Sequence, residues 1–91
     1  MTTHLSPAVR LSTKLRAAHP AMSFDVVGKA DTAFADDPTY NEELIGVLTQ
    51  DMLIIDPYIS SCGRFAVSPE EAYGIPAEVA AAIRTHNVIG A

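Results

Sequence analysis

NEELIGVLTQDMLIIDP, residues 41–57, decides the fold because it reads two ways. Tyr40, Leu44, Val47 and Leu48 share one helical face, yet Ile45, Val47, Thr49, Ile54 and Ile55 are β-branched and suit strands. Gly46 would cost a helix interior about 1 kcal/mol relative to alanine. The link weighs most. A helix ending near Thr49 leaves only Gln50 and Asp51 before MLIID, the minimum for a helix-to-strand connection. Two residues are the commonest β-hairpin loop. Two antiparallel strands over 44–49 and 52–56 are therefore expected, with a helix over the first as the alternative. Both runs are apolar on each side of the pleat, so each must be covered twice or meet a partner.

Upstream, Ser6-Pro7 marks a helix start, a serine cap followed by a proline whose fixed φ suits the first turn. Ala8, Leu11, Leu15 and Ala18 fall on one arc of that helix, and His19-Pro20 ends it. SFDVVGKADTAFA then alternates Phe24 and Val26 around Asp25 and turns at GKAD, which predicts a hairpin with a return strand over 32–35. DDPTY follows as an acidic turn, or as a first helical turn capped by Asp37.

Downstream, Pro57 stops the second strand. SSCG reads as a tight loop before a short strand RFAV. Ser68, Pro69 and Glu71 stand at capping-box positions, and Tyr73-Gly74 closes a short helix. A second helix follows Pro76, with Ile75, Val79, Ile83 and Ala82 facing the core and Asn87 as a left-handed cap. These elements predict a single α+β domain over 1–91. It has an N-terminal helix, a mostly antiparallel sheet of four or five short strands, and two C-terminal helices on one sheet face.

The 91 residues are 48% hydrophobic and 19% charged, which suits one folded domain with a modest core. The single cysteine cannot form an internal disulfide. MTTHLSPAVRL lacks the basic start and apolar run of a signal peptide, and MLII is too short to cross a bilayer. A cytoplasmic protein without membrane contact is the expectation. Net charge is −5 and unevenly spread. Residues 1–20 hold Arg10, Lys14 and Arg16 and no acid, whereas residues 21–56 set eight acids against Lys29. That balance opposes direct nucleic-acid binding and favours a basic partner.

No residue pattern forces a chemistry. Cys62 has no histidine near it in sequence to stabilise a thiolate, and Gly63 beside it marks a turn. His4, His19, His86 and Cys62 lack metal-ligand spacing, so no metal or other cofactor is expected. Glu70-Glu71 belongs to helix capping and Asp36-Asp37 to a turn, and neither pair converges across a cleft as acid–base work requires. VGKADT lacks the spacing of a phosphate-binding loop. Arg10 and Lys14, one turn apart, make a thin phosphate footprint.

The acids Asp31, Asp36, Asp37, Glu42, Glu43 and Asp51 all fall in or beside expected turns. They are the candidate partner-binding residues, with Tyr40 and Tyr58 as contact anchors. In size, acidity and lack of a catalytic signature, the chain resembles small phage or mobile-element inhibitors, anti-CRISPR proteins among them. The likeness is one of composition and implies no site residue. The expected function is a non-enzymatic protein-binding module whose acidic surface competes with nucleic acid for a basic partner, such as a nucleic-acid-binding complex. The alternative is an accessory or structural subunit that dimerises or docks through an apolar sheet face.

Overall fold

The structure, a computed structural model, describes residues 5–50, 52–58 and 68–91. Its elements run α1 (Pro7–Ala18), β1 (Phe24–Gly28), a 3₁₀ turn (Lys29–Asp31), β2 (Glu43–Leu48), β3 (Leu53–Ile54), α2 (Pro69–Tyr73) and α3 (Ala77–Asn87). The described strands form one antiparallel sheet in the order β1-β2-β3. The described residues thus form a small α+β domain with three α-helices.

The ambiguous stretch is a hairpin. Val47 pairs with Ile54 and Leu48 with Leu53, and the Thr49 amide donates to the Met52 carbonyl at 2.8 Å to close the turn. Gly46 has a packing reason. A Cβ there would lie 2.8 Å from Leu53 Cδ1 and Cγ and 3.0 Å from the Ile54 carbonyl oxygen. Its missing side chain lets Leu53 lie down across β2.

The other expected hairpin does not form. Residues 32–35 are turns, and β1 pairs instead with β2, from Phe24↔Val47 to Gly28↔Glu43. GKAD closes a 3₁₀ turn, while the Lys29 amide extends the β1–β2 ladder by donating to the Glu42 carbonyl at 2.6 Å. The described sheet therefore has three strands, not four or five. RFAV and the SSCG loop with Cys62 lie outside the described residues.

The register sorts side chains onto two faces. Phe24, Val26, Ile45, Val47 and Ile54 share one, and α1 and α3 cover it with Ala8, Leu15, Val79, Ala80 and Ile83. Ser6 caps α1, its hydroxyl accepting from the Val9 amide at 3.2 Å. Ala18 is exposed rather than on the buried arc, whose polar member, Ser12, donates to the Val9 carbonyl. Ser68 caps α2, and Gly74 ends it at φ +69°, a left-handed position. Pro76 gives α3 no side-chain cap, so Glu70 of α2 accepts from the Ala77 amide at 3.0 Å.

The second face is covered in part. Leu44 is buried there under Tyr40 and Val88, with Phe34, Val27 and Ile55 packed around them. Leu48 and Met52, at the hairpin end, remain 49% and 58% exposed.

Asn87 departs most from expectation. It is not a left-handed cap, since no described non-glycine residue has positive φ. It ends α3 fully buried and points its amide into the sheet. The β2–β3 register, in which paired residue numbers sum to 101, would place Asp56 opposite Ile45, but β3 ends at Ile54. The Asn87 amide takes the missing strand's place. Its Oδ1 accepts from the Ile45 amide at 2.8 Å, and its Nδ2 donates to the carbonyls of Ile45 at 2.7 Å and Ile55 at 2.9 Å. Backbone groups that would otherwise be buried and unpaired are satisfied.

Candidate functional site

The connection from β1 to β2, residues 29–42, crosses one end of the sheet and carries most of the candidate acids. Lys29 organises it. Its side chain is only 12% exposed, and its Nζ donates to the carbonyls of Asp37 and Tyr40, each at 3.3 Å. Glu42 Oε1 lies 3.4 Å from the same Nζ, with its own side chain 86% exposed. The connection's single cation is thus turned inward, and its acids are left on the outside.

Asp31 and Asp36 are exposed, and neither carboxylate has a hydrogen bond or ion pair among the described residues. Asp37 accepts from the Thr39 amide at 2.9 Å. Hydrogen bonds from Thr39, side chain first and then backbone, hold the Asp37 carboxyl below its ordinary range, with Lys29 adding a smaller pull. Glu43 sits where β2 begins and accepts from the Ser6 hydroxyl at 2.8 Å. Asp31, Asp36, Asp37 and Glu42 therefore share one connection, with Glu43 at its foot. Asp51 lies outside the described residues.

The two tyrosines divide. Tyr40 is 5% exposed, its ring stacked on Phe34 at 4.2 Å between centroids, so it belongs to the core rather than to a contact surface. Tyr58 is 41% exposed and lies under Arg84, whose guanidinium carbon is 5.3 Å from the ring centroid.

Both tyrosines meet a buried carboxylate that the sequence did not single out. The Asp56 side chain is 1% exposed and accepts from the Tyr40 hydroxyl at 2.8 Å, the Tyr58 amide at 3.1 Å and Arg84 Nη1 at 2.8 and 2.9 Å. Burial, then the hydrogen bond to Asp56, pushes the Tyr40 phenol above its ordinary value. Every oxygen here is engaged, as a buried charge requires. Two signals pointed to the network: Asp56 ends an apolar strand, and Arg84 is the lone Lys or Arg of α3.

Between the acidic connection and the β2–β3 hairpin lies an open groove of about 430 Å³. Val27, Leu53 and Ile55 supply apolar surface, Ala33 and Phe34 come from the connection, and Asp31 lines it with a carboxylate. Among the described residues no group of three or more His, Cys, Asp or Glu side chains could hold a metal ion. No helix of the described residues is long and apolar enough to cross a membrane.

Fold and site together define a small α+β domain with an acidic connection at one end of its sheet and an apolar groove beside it. No family model, curated protein or solved structure matches the chain.

Proposed function

We propose that this domain is a non-enzymatic protein-binding module that grips a basic surface through the acidic β1–β2 connection and competes there with nucleic acid. One observation carries the reading: Lys29 is spent on backbone carbonyls, while Asp31, Asp36 and Glu42 stand outward. Carboxylates so placed can pair with lysines and arginines that otherwise hold phosphates, and such pairing speeds encounter at low salt. In its sharper form the module is an inhibitor of the phage or mobile-element kind, covering the basic channel of a nucleic-acid-binding complex.

The test is capture of host proteins by the intact domain and by a variant carrying Asp31→Lys, Asp36→Lys and Glu42→Lys, none of which is buried. The intact domain should retain a basic protein that duplex DNA displaces and that rising salt releases. The variant should remain folded and retain none of it. Equal retention by both would overturn the proposal.

The exposed Leu48 and Met52 favour a second reading, an accessory subunit docking through the uncovered part of the sheet. Its complex would resist salt and fail in Leu48→Lys.

A further inference from the structure

The groove next to the acidic connection is walled by residues that also cover the second core cluster, Val27, Phe34 and Ile55, yet it stays open to solvent, and its make-up is selective. Its floor exists because Gly46 has no side chain, which lets Leu53 lie flat beside Val27. One wall, Phe34, is fixed by its stacking on the buried Tyr40 ring. A fixed wall lowers the ordering cost of binding. The volume of about 430 Å³ is in the range of sites that take apolar groups. Two carboxylates line it, and they differ. Asp56 is engaged on both oxygens by Tyr40, Tyr58 and Arg84. Asp31 has no partner among the described residues, and Asp36 and Asp37 follow a few positions along the same connection.

An apolar floor beside an exposed carboxylate selects for an apolar group with positive charge next to it. We propose that this groove seats a large apolar side chain of the basic partner, from an extended segment in which Lys or Arg flanks that residue. The proposal rests on the acidic reading above and adds what that reading lacks, a desolvated anchor at the centre of a charged rim.

The probe is a heptapeptide of alternating lysine and leucine, titrated into the full chain with labelled methyl groups and followed by NMR. Controls are a lysine–serine heptapeptide and a glutamate–leucine heptapeptide. The lysine–leucine peptide should shift the methyl signals of Val27, Leu53 and Ile55 and bind at least about tenfold more tightly than either control. Asp31→Asn should weaken it several-fold. Ala33→Trp, at an exposed position on the groove wall, should abolish the methyl shifts while the domain stays folded.

If lysine–serine binds as well and the methyls stay still, the groove proposal falls while the acidic reading stands. If glutamate–leucine binds as well, the groove does not select for charge and the proposal falls. If none binds, the groove proposal falls, and the acidic reading is decided by the capture experiment alone. Methyl shifts that track the protein's own concentration would identify a second copy as the occupant and overturn the proposal.

Discussion

Replacing Asn87 with leucine removes the one side chain that stands in for a strand. The substitution puts an apolar side chain of the same branched shape in a fully buried position, where its bulkier methyls can only add to the polar loss. It strands the Ile45 amide and the carbonyls of Ile45 and Ile55, now bonded at 2.7 to 2.9 Å. Each buried group left without a partner costs about 1–3 kcal/mol. The two carbonyls fall at the low end, because a second lone pair makes an unpaired carbonyl more tolerable than an unpaired amide. A loss of about 3–5 kcal/mol follows, a large part of the ~5–15 kcal/mol that holds a domain of this size. Urea unfolding followed by circular dichroism at pH 7 should show a lower midpoint with an unchanged slope. The melting temperature should fall by roughly 12–40 °C, at about 4–8 °C per kcal/mol. Asn87→Asp sharpens the test. Its carboxylate cannot donate to the two carbonyls, so the neutral acid is the better tolerated form, and this variant should regain stability as pH falls. If Asn87→Leu came within about 1 kcal/mol of the parent, water or a longer β3 must satisfy those groups, and the strand-surrogate argument would fail.

Two more predictions concern the sheet and the buried carboxylate. Gly46→Ala places a methyl 3.0 Å from the Ile54 carbonyl oxygen and closer still to Leu53, so it should cost about 1–3 kcal/mol in the same urea titration. A neutral effect would mean that Leu53 is free to swing away. The raised Tyr40 phenol keeps its proton in the folded state after the unfolded chain has lost it, near the ordinary value of 10.0. The parent should therefore lose stability above that pH by up to about 1.4 kcal/mol per pH unit more than Tyr40→Phe does. The variant should itself be weaker at pH 7 by about 1.5–3 kcal/mol, having lost a hydrogen bond to a charged acceptor. Parallel pH profiles for the two would count against burial of the phenol.

Where the deciding signals are local, the sequence carried them. The two-residue link and the β-branched run around Gly46 identified the β2–β3 hairpin, and Ser-Pro pairs marked the starts of α1 and α2. The GKAD turn misled, because a turn signal reports that the chain reverses and not which strand it then joins. The partner of β1 lies beyond a connection of fourteen residues, 29–42, and nothing near Phe24 encodes that choice. The candidate site divides in the same way. Acids in turns were legible as acids. That Lys29 faces inward, that Tyr40 is core and that Asp56 meets Arg84 are all products of packing between distant segments. Asn87 looked like a helix cap because asparagine often serves as one. Its role as a strand substitute depends on β3 stopping two residues short of Asp56, which no local pattern announces.

The amide of Asn87 reaches a strand residue 42 positions earlier in the chain, which gives it a say in when folding finishes and what happens if it does not. The hairpin can zip from neighbouring contacts, but sealing it waits for a slower long-range search. Until then, or after a clip between Tyr73 and Asn87, the bare amide and carbonyl of Ile45 offer another molecule's strand a place to add on. The same three hydrogen bonds that finish the native sheet therefore also guard the chain against fibre-like aggregation.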